Sequence, residues 1–301
     1  MAGVKFTSSD IPDLSGQVII VTGGNVGLGL ETIKQLRRNK PKKIYLAARS
    51  EEKAETAIDQ LEESEPDGSP LCFLKLDVSS FASVKSAAET FLNIESRLDI
   101  LINNAGIMMT PEGLTEDGYE IQFGTNVLGP ALFTQLLLPL VQRTGKINPQ
   151  ARVVMLFSAS ENVAPSDVYQ FEELKTTISH RNTTARYTQS KLAVTHYASA
   201  MAERHSDVKI IPVHPGMVST NLHHNSTGLF LRPFLYAAIC FATPVEKGAL
   251  SQIWASVSPD AKSGEYYGPI GLAGKGSKAS KNHDLQEKLY KWVQEQLTPY
   301  L

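Results

Sequence analysis

Cysteine is almost missing from this chain. Cys72 and Cys240 are the only two and lie far apart, which excludes a disulfide framework and a cysteine-rich metal site. Net charge is nearly missing too: 29 Lys and Arg against 31 Asp and Glu leave a formal charge of −2. Without a broad basic surface, nucleic acid is not an expected partner, and small molecules are. Long hydrophobic runs are absent as well. The longest apolar stretch, Gly228 to Ala242, is interrupted by Arg232 and Pro233 and is short for a bilayer span, so no integral membrane segment is expected. A cover over a substrate or a patch at a membrane surface are the uses left open for it. The first ten residues lack both the apolar core of a signal peptide and the Arg of a transit peptide, which sets the expectation of a soluble cytoplasmic chain. No linker-like or low-complexity stretch divides the 301 residues, and 42% apolar content suffices for a substantial core. One domain over residues 1–301 is expected, with a polar leader at 1–15 and a substrate-covering segment at 221–243.

What is present is a regular alternation of strands and helices. Gln17 to Thr22 reads as a buried strand, Gly23-Gly24-Asn25-Val26-Gly27-Leu28-Gly29 follows it directly, a helix starts at Leu30, and Ile44 to Ala48 supplies a second strand. This is a βαβ unit with a glycine-rich first turn. Such glycines let the backbone approach a pyrophosphate, and the helix N-terminus directs its N–H groups at the anion. At the end of the second strand, about 20 residues past Gly29, an NAD-binding chain would carry Asp or Glu for the ribose hydroxyl. Arg49-Ser50 stands there instead, and a guanidinium suits a 2′-phosphate, so NADP(H) is expected over NAD(H).

Further strands follow at Leu71 to Leu76, Ile100 to Ile102, Arg152 to Phe157, Val208 to Val213 and Glu265 to Tyr267. Asp77-Val78 and Asn103-Asn104-Ala105-Gly106 directly follow two of them, at the carboxyl edge where ligands of parallel sheets bind. A long helix is expected from about Thr115 to Gln142. Asn126 inside it is a poor mid-helix residue and marks either a distortion or a polar task. Ser158 and Ser160 close the Arg152 strand, and 161–184 reads as a long loop. The fold expected is α/β, a Rossmann-type doubly wound, mostly parallel sheet of about seven strands with helices on both faces.

In the helix that follows, from Ala185 to about Glu203, Tyr187 and Lys191 are four residues apart and share one face. A cation beside a phenol favours phenolate, so Lys191 is expected to lower the Tyr187 pKa towards working pH, as a general acid/base needs.

Taken together, these pieces resemble the short-chain dehydrogenase/reductase family: Thr22-Gly23-x-x-x-Gly27-x-Gly29, Asp77-Val78, Asn103-Asn104-Ala105-Gly106, Asn126, Ser158, Tyr187-x-x-x-Lys191 and Pro215-Gly216. Residues 103–109, Thr115-Glu116-Asp117-Gly118 and Asn126-Val127-Leu128-Gly129 look closest to its retinol-dehydrogenase-like and WW-domain-oxidoreductase-like branch. Neither the N-terminal apolar anchor usual in membrane-bound retinol dehydrogenases nor a WW domain is expected from these residues, which leaves the substrate open.

The resemblance implies roles. Tyr187 would be the acid that protonates a carbonyl oxygen, Ser158 would hydrogen-bond the same oxygen, Lys191 would lower the Tyr187 pKa and bind the nicotinamide ribose, and Asn126 would hold a water in the proton relay. Ser160 is the rival for Ser158. Gly23, Gly27 and Gly29 would line the pyrophosphate, together with Asn25 and Leu28 of the same loop. Arg49 would meet the 2′-phosphate, Asp77 and Val78 the adenine, Asn104 the adenosine ribose, with Ala105 and Gly106 beside it. Pro215, Gly216, Val218 and Thr220 would lie at the nicotinamide end. The implied activity is an NADP(H)-dependent carbonyl reductase or alcohol dehydrogenase for a fairly hydrophobic small molecule, suggested by Met108, Met109 and the Leu229 to Phe241 segment. A nucleotide-binding protein with a regulatory role, or one with a non-redox cyclisation or isomerisation role, is the alternative. Dimers or tetramers are also implied.

Overall fold

Strand β1, Val18–Thr22, consists of five β-branched residues, all buried. Their stiff side chains suit a pleated surface covered on both sides. Val18 and Ile20 join one hydrophobic layer, Ile19 and Val21 the other, as the two-residue period of a strand requires. The computed structural model describes residues 3–219 and 242–301. Around β1 stand β2 (Lys43–Ala48), β3 (Leu71–Lys75), β4 (Ile100–Asn103), β5 (Arg152–Leu156), β6 (Lys209–Val213), β7 (Tyr267–Gly268) and β8 (Leu272–Ala273). They form an eight-stranded sheet in the order β3-β2-β1-β4-β5-β6-β7-β8. Every pairing is parallel except β7 with β8. The eighth strand, two residues long and antiparallel, is the one addition to the roughly seven expected from sequence.

One face of the sheet is covered by α1 (Gly27–Arg37), α2 (Glu51–Ser64) and α7 (Val245–Val257), through side chains such as Ile33, Leu61 and Trp254. The other is covered by α3 (Phe81–Ile94), α5 (Gly129–Gly145), α6 (Thr183–Arg204) and α8 (His283–Leu297), through Phe91, Leu132, Leu192 and Trp292. Between β1 and β4 the chain reverses the direction in which it builds the sheet, and crevices of this kind, at the carboxyl ends of the strands, are where α/β sheets take ligands. Ser50, Ser80, Asn182 and Asn282 cap α2, α3, α6 and α8 by accepting a backbone N–H. Helix α1 has Val26 at that position and no side-chain cap.

The long helix expected from Thr115 begins later. Thr115 N–H donates to the Tyr119 carbonyl, Tyr119 N–H donates to Thr115 Oγ1, and Gly118 takes φ +83°, so this segment closes a turn. Helix starts only at α4 (Ile121–Phe123), runs through a π-helical turn (Gly124–Leu128) and continues as α5. Asn126 sits inside the π turn, so the distortion it signalled is real. The span Ile121–Gly145 is apolar and long enough to cross a membrane, but it is largely buried against the rest of the protein.

Helix α5 approaches the β3–α3 connection so closely that a Cβ on Gly129 would overlap the Val78 carbonyl oxygen. Gly129→Ala is therefore expected to lower stability by roughly 1–3 kcal/mol, whereas Gly113→Ala, whose Cβ would meet Ile121 Cβ at an ordinary contact distance of 4.0 Å, should stay within about 0.5 kcal/mol of wild type. Denaturant midpoints of the two variants check this.

Candidate active site

Two loops meet at the crevice between β1 and β4. Thr22, the last residue of β1, accepts the N–H groups of Asn104 and Ala105 on its Oγ1 at 3.0 and 2.9 Å, and its carbonyl accepts Asn104 Nδ2 at 2.7 Å. The Asn104 amide is thus occupied in holding the two loops together. Gly23 takes φ +64° and packs on Ala105, and a Cβ on Gly29 would collide with the Gly23 carbonyl. The loop is therefore shaped by its glycines, and the first N–H groups of α1 have no side chain to satisfy them. An uncapped helix start behind a glycine turn fits a dinucleotide pyrophosphate, with Asn25, Gly27 and Leu28 on the same loop. Arg49 is exposed at the end of β2, and Ser50 caps α2 beside it. Asp77 Oδ1 accepts Ser79 N–H at 2.9 Å and Ser79 Oγ at 2.6 Å, which leaves Oδ2 without a protein partner among the described residues.

Helix α6 delivers the second group. Sixteen of its residues are buried, Tyr187 and Lys191 among them, with 4% and 8% exposure. Their spacing brings them together as expected: Lys191 Nζ lies 5.8 Å from the centre of the Tyr187 ring and 3.4 Å from the Leu156 carbonyl. Ser158, just beyond β5, and Ser160 lie on the side of the phenol and pull its pKa downward. Both Nδ2 protons of Asn126 are used in this geometry, and its Oδ1 already accepts one bond. Its Oδ1 accepts Ile107 N–H at 2.8 Å, while Nδ2 donates to the Ile107 carbonyl at 3.0 Å and to Ser190 Oγ at 2.9 Å. Ser190 Oγ in turn donates to the Tyr187 carbonyl at 2.7 Å. A Cβ on Gly106 would lie 3.0 Å from Asn126 Oδ1 and 3.5 Å from Lys191 Nζ, so backbone alone fits there. Pro215, Gly216 and Val218 follow β6, with Val218 pairing with Thr243. Thr220, Cys240 and the Leu229 to Phe241 segment lie outside the described residues, as does most of 221–243.

Electrostatics corrects one expectation. Burial pushes the Tyr187 phenol up to about 12, against the opposing pull of Ser158 and Ser160. Lys191 does not bring it towards neutrality, because the phenolate would be fully enclosed and the ammonium is itself desolvated, down to about 8. His214, after β6, is held down at about 4 by burial and by Lys191, and its Nδ1 is buried without a partner among the described residues.

Several residues of the site carry no sequence signature. Arg186 directly precedes Tyr187 and is buried, with its Nε 3.5 Å from buried Glu120 Oε1 and its Nη1 donating to the Thr177 carbonyl at 3.2 Å. Burial raises the Glu120 carboxyl pKa. Gln252, on α7, donates to Thr32 Oγ1 at 2.6 Å and braces α1. The immediate sequence of Glu120 and Gln252, Gly118-Tyr119-Glu120-Ile121-Gln122 and Leu250-Ser251-Gln252-Ile253, is of mixed polarity and gives no signal that would have found them.

A family model for short chain dehydrogenase matches residues 17–165. A short-chain dehydrogenase/reductase of Armillaria gallica is 39% identical over 302 residues, covering 98% of this chain and 95% of its own. Retinol dehydrogenase 14 of Mus musculus is 36% identical over 271 residues, 85% of this chain and 78% of its own. The NADPH-bound carbonyl reductase from chicken fatty liver has the same fold, with a TM-score of 0.64 at 21% identity over 87% of this chain and 99% of its own.

Lys191 supplies a stability test. Its folded pKa, about 8, is below the ordinary lysine value of 10.5, so the unfolded chain binds its proton better. The resulting penalty is complete below about pH 8 and vanishes as pH rises through 10.5. Lys191→Met should therefore stabilise the fold at neutral pH by on the order of 2–3 kcal/mol, with the gain shrinking by about pH 10. Denaturant titrations of both proteins across this range measure it.

Proposed function

The chain belongs to the short-chain dehydrogenase/reductase family of nucleotide-binding oxidoreductases, and from that premise we propose that it is an NADP(H)-dependent carbonyl reductase or alcohol dehydrogenase acting on an apolar small molecule. The observation that carries this reading is the buried convergence of Tyr187, Ser158 and Lys191 beside the glycine loop. A protein that only sensed the nucleotide would have no use for an enclosed phenol flanked by hydroxyls and a desolvated amine.

When bound, the nicotinamide would supply the hydride for reduction, or accept it for oxidation. Tyr187 would donate its hydroxyl proton to the carbonyl oxygen, and Ser158 would hydrogen-bond the same atom as charge develops on it. A phenol pKa near 12 suits a proton donor at rest, and the donor becomes a base only when positive charge arrives beside it. Lys191, already desolvated, would supply part of that charge and bind the nicotinamide ribose. Arg49, exposed at the end of β2, would pair with the 2′-phosphate. Asn126 would serve the proton relay through its hold on Ile107 and Ser190.

Support for an apolar substrate comes from the loops around the site. Met108 is buried and Met109 half-buried after β4, while Leu114, Val163 and Met217 are exposed on three loops that leave carboxyl ends of strands. The name of the mouse relative, a retinol dehydrogenase, points to the same class of substrate.

NADPH oxidation over a panel of aldehydes and ketones tests the reading. Turnover with NADPH is expected for at least one carbonyl, and Tyr187→Phe should abolish it while NADPH still binds. Arg49→Ala should raise KM for NADPH roughly ten- to a hundredfold and leave that for NADH nearly unchanged. Equal loss with both cofactors would remove Arg49 from the 2′-phosphate site.

A further inference from the structure

Left-handed backbone is rare outside glycine and persists only where the surroundings hold it. Among the described residues five non-glycine positions take it. Three of them, Met109 (φ +50°), Tyr169 (φ +63°) and Ile178 (φ +46°), lie on the loops that follow β4 and β5 and lead to the helix of Tyr187. A buried amide holds Met109 there. Gln122, in α4 and fully buried, accepts the Met109 N–H on Oε1 at 2.8 Å. Its Nε2 donates to the carbonyl and the hydroxyl of Thr183, the first residue of α6, at 3.1 and 3.3 Å. Thr183 Oγ1 then donates to the Thr110 carbonyl at 2.7 Å. One side chain therefore closes a ring through Met109, Thr110 and Thr183, with its oxygen and both amide protons engaged. Thr183 and Tyr187 are four residues apart on one face of α6, and helical side chains lean towards the N-terminal turn, so the Tyr187 ring is on the side that Met109 and Thr110 border. The Thr183 carbonyl held by Gln122 is also the one that the helical pattern assigns to the Tyr187 N–H. At the other end of the loop, Gly106 runs close to Lys191 Nζ, and Ile107 is fixed by Asn126. Residues 106–110 thus run from Lys191 to the turn before Tyr187, and the apolar side chains they carry there include buried Met108 and half-buried Met109.

We propose that Gln122 is a positioning residue that sets the substrate specificity of the site: by locking Met109 in the left-handed region against the first turn of α6, it fixes Met108 and Met109 as an apolar wall at a set distance from the Tyr187 phenol. This deepens the reductase reading and rests on it. The wall decides how much apolar bulk a carbonyl compound can carry on the side that faces the loop after β4. Without the amide, the Met109 N–H and the Thr183 hydroxyl lose a shared partner, the Met109 backbone relaxes towards an ordinary conformation, and the wall moves. Gln122 itself acts on the reaction only through Met109 and Thr183.

The test is steady-state reduction of a homologous series built on whichever carbonyl of the panel is turned over, its apolar chain lengthened one methylene at a time. For wild type, kcat/KM should peak at one chain length. In Gln122→Leu, which keeps the volume and removes the amide, the peak should flatten and KM for the best member should rise about tenfold, while kcat for the shortest member and KM for NADPH stay within about threefold. Gln122→Glu should restore the peak, because a carboxyl kept neutral by burial still offers an acceptor to Met109 and a proton to Thr183. Thr183→Val, which cuts the bond to Thr110, should flatten the peak by less, and it serves if the leucine variant does not fold. A second readout needs no turnover: in protein labelled with 13C-methyl methionine, the Met109 signal, assigned with Met109→Leu, should move in Gln122→Leu and Thr183→Val, while the signals of core Met155 and Met201 hold. A chain-length profile that superimposes on that of wild type in both variants overturns the proposal, and so does an unmoved Met109 signal. Equal loss of kcat at every chain length together with loss of NADPH binding also overturns it, since Gln122 would then support the fold in general. A wild-type protein that reduces no carbonyl is a separate failure, that of the reductase reading, and the specificity proposal falls with it even if the Met109 signal moves.

Discussion

The joint between Thr22 and Asn104 is the contact on which the site depends. It closes the crevice where the sheet reverses its order, by tying the end of β1 to the loop after β4 through one hydroxyl, one carbonyl and one amide. From there the structure runs in short steps. The Asn104 loop continues to Gly106 and Ile107, Ile107 exchanges two hydrogen bonds with Asn126, Asn126 donates to Ser190, and Ser190 donates to the Tyr187 carbonyl. The glycine loop and the acid–base helix, far apart in sequence, are therefore held in one register by backbone-directed amides. A polar network of this kind is favourable only when every member is satisfied, and Asn126 meets that condition.

Burial is what gives the site its chemistry, and it opposes stability. The same enclosure raises the phenol of Tyr187, depresses the ammonium of Lys191 and keeps the imidazole of His214 neutral. Each shift means that the folded state disfavours a charge which water would accept. The sheet offsets this cost with two continuous hydrophobic layers, one on each face. Local structural ties then hold the functional groups where burial alone would not. Glu161 anchors the serine turn to Ser277, Arg186 and Glu120 pair beneath the start of α6, and Gln252 braces α1.

Much of this was legible from the sequence, for identifiable reasons. The strands announced themselves because residues such as Val18 to Thr22 are β-branched and buried on both faces, and the glycine loop because only a strand-to-helix turn places Gly23, Gly27 and Gly29 as found. Tyr187 and Lys191 met because helical spacing is local. The helix expected from Thr115 failed because its first residues close a turn through Gly118, which a periodicity count does not register. The direction of the Tyr187 shift failed for a deeper reason. A neighbouring Lys can be read from spacing, but desolvation depends on all the elements that enclose the phenol. The Arg186–Glu120 and Gln252–Thr32 pairings escaped because their members lie far apart along the chain and are brought close only by tertiary packing.

Deuterium transfer tests the hydride reading most directly. NADPH deuterated at the transferable nicotinamide carbon, incubated with the protein and each carbonyl of the panel, should yield at least one alcohol carrying a single deuterium on its carbinol carbon, and none when Tyr187 is replaced by Phe. Tight NADPH binding with no labelled alcohol from any carbonyl would contradict it, and would leave the buried Tyr187, Ser158 and Lys191 cluster serving some chemistry other than hydride transfer.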